Sequence, residues 1–325
     1  MKKISAFLLL TILSAGFFSC SKNDEEMLTP ISSTPVTGKN RFTTMVDGDE
    51  REYYVHVPKS YTGDVSVPVV FMLHGTGGDG EKFYNISGWK EMGEDEGFIT
   101  VFPSSWRYCI IDNDGVSNIT KWNTPPDAEF IFCPGQKPRN DIKFLNTVIT
   151  EVSSKYKVNS KRIYLAGFSN GGQMAAKCVI DLSDKLAAIA ENAGSFYIDT
   201  MYTPKRKLPV LLQIGNEDYG HGTIGPAVPL SGLDTILRTP GLPYLGGRLN
   251  RMAGYHIKYL GLNPNFTIAG DTNAVVVATY NSLSGSGDFR ISFVKNLAHI
   301  YPNGDNHWME AARTQWKWFK QYSMP

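Results

Sequence analysis

Cysteine is scarce, with four residues in 325, so a disulfide-built scaffold is excluded and the fold has to rest on its own core. An excess of either charge is also lacking. The 32 basic residues stand against 31 acidic ones, a formal net charge of +1, which provides no global field for nucleic acid. No His, Cys, Asp and Glu grouping has metal-ligand spacing, and no glycine loop ends in the Lys-Ser/Thr of a phosphate cradle or completes a dinucleotide fingerprint. No cofactor is therefore called for. What is present is 42% hydrophobic and 12% aromatic, which excludes disorder for the bulk of the chain and allows one large core.

The first twenty residues read as a signal peptide: Lys2 and Lys3 precede an apolar run from Ile4 to Phe18 that is short for a bilayer span and closes at Ser19-Cys20. This resembles a bacterial lipoprotein signal, in which Cys20 becomes the lipidated N-terminus. An ordinary cleaved signal is the alternative, because Phe17 and Phe18 stand where the usual box has Leu and a small residue. Ser21 to Glu26 resembles the acidic tag of surface-displayed lipoproteins. Its plain reading is a solvated tether. The expected location is thus the outer membrane after export, with the periplasm or the medium as alternatives, and the lipid anchor as the only membrane contact. Residues 21–40 read as a flexible linker rich in Ser, Thr, Pro, Asn and acids, and residues 41–325 as one domain without repeats.

Within that domain, short apolar runs alternate with helical patterns. Glu52–Val57 reads as an edge strand. Val67–Leu73, Phe98–Phe102, Arg162–Ala166, Leu186–Ala190, Pro209–Ile214 and Arg290–Val294 read as strands buried on both faces. Helices are expected over Lys82–Glu96, Asp141–Tyr156, Gly172–Ile180 and Trp308–Tyr322. The alternation predicts the α/β class: a mostly parallel central sheet with helices on both faces and its active loops at the carboxyl ends of the strands.

At one such end stands Gly167-Phe168-Ser169-Asn170-Gly171, between a strand and a helix. A Gly-x-Ser-x-Gly segment in that setting is a nucleophile elbow, a sharp turn that lifts the serine hydroxyl above the sheet. The Gly-rich turn His74-Gly75-Thr76-Gly77-Gly78 follows an earlier strand and supplies backbone donors for an oxyanion. The Thr76 and Asn170 amides are the expected pair, with His74 shaping the loop. In this chain order the acid comes next, and Asp218, with Glu217 as alternative, follows the strand ending at Ile214. The base belongs after the last strand, where His299 is preferred; His307 is the alternative, but it immediately precedes the final helix and fits a helix-start role instead.

The series Leu73–Gly78, Trp122-Asn123, Asn140–Phe144, Arg162–Gly172, Ile214–Asp218 and Ala298–Pro302 resembles the extracellular polyhydroxybutyrate depolymerase and feruloyl/acetylxylan esterase group, carbohydrate esterase family one, over residues 45 to 322. The resemblance implies an α/β-hydrolase fold with Ser169 as nucleophile, Asp218 as acid and His299 as base. It also implies a serine carboxylic ester hydrolase acting on feruloyl or acetyl groups of plant polysaccharide. The base motif reads Ala-His-Ile-Tyr-Pro where the group usually has Gly-His-x-Trp-Pro. A polyester depolymerase is the alternative, one expected to need a polymer-binding module. From a different class comes a surface-binding lipoprotein that has lost its chemistry, against which the retained Ser169, Asp218 and His299 speak. The partners expected are an acylated oligo- or polysaccharide ester and no nucleic acid.

Two further stretches are expected to wall the cleft: an insertion over residues 219–288, for which a small core of its own is an equal alternative, and Trp106–Pro138, read as a loop with little regular structure. Cys109 and Cys133 flank the latter and are placed to form a disulfide in an oxidising compartment, leaving Cys178 as a buried thiol.

Overall fold

An apolar run with no polar face has to lie in the middle of a sheet covered on both sides. In the computed structural model, β3 (Val67–Leu73) shows this directly: Val69, Phe71 and Leu73 enter one hydrophobic cluster, and the intervening Val70 and Met72 enter the other. The structure describes residues 36–112, 115–124, 130–195, 203–283 and 288–325. The segment read as a signal peptide, Cys20 and residues 21–35 of the stretch read as a linker lie outside the described residues.

The chain opens with β1 (Gly38–Val46) and β2 (Asp49–Val57), an antiparallel hairpin closed by Asp47 and Gly48, both at positive φ. β1 begins within the stretch read as linker. It also covers β2, which pairs with β4 on its other side and is not the expected edge strand. After β3 the expected helix Lys82–Glu96 is two: α1 (Gly80–Ile86), capped by the Asp79 side chain, and α2 (Trp89–Glu96), separated where Gly88 takes φ +76°. β4 (Ile99–Pro103) follows.

The presumed loop after β4 is a second sheet of three strands, β5 (Trp106–Asp112), β6 (Gly115–Lys121) and β7 (Phe130–Phe132), in the order β6-β5-β7. β7 is only three residues long and β6 is largely polar, so the sheet leaves little apolar signal in the sequence. A disulfide joins Cys109 on the central strand β5 to Cys133, directly after β7. α3 (Asp141–Lys155) leads to β8 (Val158–Phe168), α4 (Asn170–Asp181), β9 (Ala188–Asn192) and β10 (Val210–Gly215).

Over residues 219–283 the connection builds helices and strands of its own, and Leu233, Ile236, Leu245, Leu249 and Met252 add to the core. α5 (Leu233–Arg238) and α6 (Tyr244–Leu260) lie on the crossover from β10 to β13 (Asp288–Val294), and β11 (Leu262–Asp271) with β12 (Val275–Ser282) extends the sheet beyond β13. α7 (Ala311–Phe319) closes the chain. The large sheet runs β1-β2-β4-β3-β8-β9-β10-β13-β12-β11, with β4 through β13 in that order parallel and an antiparallel pair at each end. Phe144 and Val148 of α3, Met174 of α4 and Leu249 and Met252 of α6 cover one face. Phe83, Trp89, Trp316 and Phe319 from α1, α2 and α7 cover the other. This is the α/β-hydrolase architecture, and it brings the carboxyl ends of β3, β8, β10 and β13 to one rim.

Candidate active site

Ser169 sits between the end of β8 and the start of α4 with φ 53° and ψ −120°, a left-handed conformation that costs an L-residue on the order of 1–3 kcal/mol. The glycines beside it are required by space. A Cβ on Gly167 would lie 2.0 Å from Gly171 O, and one on Gly171 would lie 2.4 Å from His74 O. The Ser169 amide donates to Asn192 O at 2.8 Å, which ties the elbow to the end of β9.

Three strand ends converge on this hydroxyl. Ser169 Oγ lies 2.8 Å from His299 Nε2, and His299 Nδ1 lies 2.8 Å from Asp218 Oδ1. With Nδ1–H donating to the carboxylate, Nε2 is left to accept the serine proton. Asp218 is fully buried. Its Oδ1 also accepts from the Gly220 amide at 3.1 Å and from Arg248 Nη1 at 2.9 Å. Burial is the largest influence on this carboxyl and pushes it up, but the His299 hydrogen bond and the Arg248 charge together outweigh it, so the group lies below the ordinary carboxylate value.

The Asp218 side chain, and not that of Glu217, meets His299, and His307 is engaged elsewhere: its Nε2 donates to Lys295 O at 3.0 Å, and its Nδ1 accepts the Met309 amide at 3.1 Å. Of the remaining rings, His56 bonds Tyr84 and Glu94, His256 bonds Met252 O and Glu191, and exposed His221 stands with its ring centroid 6.3 Å from that of His299.

The turn His74–Gly78 abuts the elbow, since a Cβ on Gly75 would lie 3.2 Å from Ser169 Cβ. His74 holds it from below: Nδ1–H donates to Gly75 O at 2.7 Å and Nε2 accepts the Ser105 amide at 2.9 Å. Burial pushes this imidazole down to about 4, so it is neutral and shapes the loop. The Gly77 amide donates to Thr120 O at 2.9 Å, and the Gly78 amide to Gly75 O at 3.0 Å. Among the described residues, neither the Thr76 amide nor the Asn170 amide has a main-chain acceptor. Two backbone donors are thus left beside the serine, on a loop and a helix start fixed by their neighbours.

The roles of several supporting residues were not foreseen, although Trp122, Asn123 and Asp141 stand in the resemblance series. Thr120 on β6 also donates through Oγ1 to Gly78 O at 2.6 Å, so the small sheet braces the glycine turn. Trp122 donates its indole N–H to His74 O at 2.8 Å and its amide to Asn170 Oδ1 at 2.6 Å. Arg51 pairs with Asp141 at 2.7 Å, both buried, and the second Asp141 oxygen accepts the Asn123 amide at 2.7 Å. Arg248, thirty positions beyond Asp218, left no local motif. Its one visible signal is a cation four residues before Met252 on the apolar face of α6. Cys178 is a free, buried thiol that burial pushes up.

Among curated proteins, feruloyl esterase B of Piromyces equi is 24% identical over 287 residues, covering 85% of this chain and 46% of that protein. Acetylxylan esterase A of Talaromyces purpureogenus is 24% identical over 200 residues, covering 60% of this chain and 46% of that protein. The chain therefore spans about half the length of these relatives. Among solved structures, the acetyl xylan esterase from Aspergillus awamori superposes with a TM-score of 0.55 at 14% identity, covering 86% of this chain and 99% of the other, a likeness of fold. The model of a family described as putative esterase matches residues 44–219, a span that takes in the glycine turn, the elbow and Asp218. With more than half of its length matched, and with the α/β-hydrolase architecture around Ser169, the chain belongs to the putative esterase family.

Proposed function

We propose that the protein is a serine carboxylic ester hydrolase that removes feruloyl or acetyl groups from plant polysaccharide after export. The observation that carries the chemistry is the unbroken relay from Ser169 Oγ through His299 to Asp218, at 2.8 Å and 2.8 Å. Ser169 Oγ attacks the ester carbonyl carbon while its proton passes to His299 Nε2. The oxyanion is received by the Thr76 and Asn170 amides. The tetrahedral adduct then breaks its bond to the alcohol oxygen, which leaves with the proton from His299. Water attacks the acyl-serine by the same route and releases the acid. Asp218 keeps the ring in the productive tautomer and stabilises the imidazolium without taking its proton.

The acyl groups are suggested by the feruloyl and acetylxylan esterase relatives. Export is supported by the signal-like N-terminus and by the Cys109–Cys133 disulfide, a bond suited to an oxidising compartment. The lipid anchor at Cys20 rests on the sequence pattern alone. The test is hydrolysis of p-nitrophenyl acetate, butyrate and ferulate by the full chain beside Ser169→Ala. Turnover that falls at least about a thousandfold in the variant is expected. Absence of turnover on all three esters by folded protein refutes the reading.

A further inference from the structure

The relay described above has a fourth member that comes from outside the three strand ends. Arg248 lies one turn into α6, with its side chain 13% exposed, and reaches back to the acid loop. Its Nη1 donates to Asp218 Oδ1 at 2.9 Å and to Asp218 O at 3.0 Å, while Nη2 donates to Ala193 O at 2.7 Å. Ala193 is itself strained, with φ 56°, and is followed by Gly194, where a Cβ would lie 2.0 Å from Ser169 O. One planar guanidinium therefore links the loop that carries the acid to the segment packed directly behind the nucleophile. An ammonium is a point donor and does not span both sites in this way.

The carboxylate it meets is unevenly served. Oδ1 takes His299, Arg248 and Gly220, whereas Oδ2 is buried and has no hydrogen-bond partner among the described residues. A buried carboxylate needs a compensating charge, and Arg248 supplies one. We propose, on the ester-hydrolysis reading of this site, that Arg248 is a positioning residue for the Asp218–His299 pair, fixing the carboxylate and moderating its pull on the imidazolium.

The sign of the effect follows from the groups around His299. Ser169 faces it from the elbow, Asp218 and His221 from the acid loop, and Arg248 through Asp218 from α6, while the Phe168 ring at 5.4 Å is apolar. Arg248 is the fixed cation of this set. Its removal leaves the full carboxylate charge to favour the imidazolium, so His299 is silenced as a base at a higher pH.

The test compares Arg248→Met and Arg248→Lys in the full chain, with thermal melting to establish folding. In Arg248→Met the acid limb of kcat/KM is expected to move up by about one pH unit, with kcat reduced on the order of tenfold. An unmoved limb in a folded variant overturns the proposal, because a purely structural loss lowers kcat without displacing the limb. Arg248→Lys keeps the charge and loses the fork. Its limb should stay in place while kcat falls, and parent-like kcat overturns the linking role. Imidazole NMR signals followed against pH in Ser169→Ala and Ser169→Ala/Arg248→Met need no turnover, with His221→Asn used to assign the second ring. If no ester is hydrolysed at all, the esterase reading fails, while the His299 signal still decides Arg248: an upward move supports the proposal and no move refutes it.

Discussion

Asp218 shows how much a single buried side chain can carry at the residue scale. Its carboxyl lies below 3.8 in the folded protein, so it contributes stability that is present above that value and is lost as pH falls through the folded one. His74, held neutral down to about 4, contributes in a higher window, losing its share as pH falls from about 6.5 toward 4. In Asp218→Asn the part of acid destabilisation below about pH 3.8 is expected to disappear from melting curves, while kcat falls by roughly 10⁴ because the amide favours the wrong imidazole tautomer. Melting curves with the parent's slope below that pH would contradict the first half. Ser169, Asp218 and His299 were readable as strand-end residues because each lies shortly after a largely apolar, strand-like run. Arg248 was not, because its partners are separated from it by 30 and 55 positions and nothing beside it in sequence marks the pairing.

At the scale of elements, the small sheet β6-β5-β7 acts through Thr120, whose hydroxyl and carbonyl both hold the His74–Gly78 turn. Thr120→Val removes the Oγ1 bond and keeps the main-chain one. It is expected to lower kcat about tenfold with KM little changed, since the turn matters for the oxyanion more than for binding. Thr120→Ser should restore most of the loss, and equal kcat in parent and valine variant would remove the brace from the account. Three of the strands hidden from the sequence share one property. β1 alternates half-buried and exposed residues, β6 has one fully buried position, and β11 is nearly all exposed, so none shows the continuous apolar run that marked β3, β8 and β10. The break between α1 and α2 hangs on Gly88, a residue that an amphipathic pattern tolerates without showing that its φ has turned positive.

For the whole molecule, the Arg51–Asp141 pair joins β2 to α3 through the interior, and burial pushes the Asp141 carboxyl up against the pull of Arg51. Arg51→Met leaves that acid buried without its cation, at a cost of about 3–5 kcal/mol, whereas Arg51→Met/Asp141→Asn should recover part of it. Denaturant melts of the two variants check this, and equal midpoints would show that the pair is not coupled. The parallel sheet itself was evident from alternating strand and helix patterns, while the outermost strands β1 and β11 were not, since they are largely exposed or half-buried. The three relay residues hang from β8, β10 and β13, and β13 pairs with β10 across a long connection that runs through α6 and β12. Hydrolysis therefore requires long-range closure: a half-assembled molecule has a serine and an acid but no base. Titrating the reactive serine in a preparation would count finished molecules rather than soluble ones.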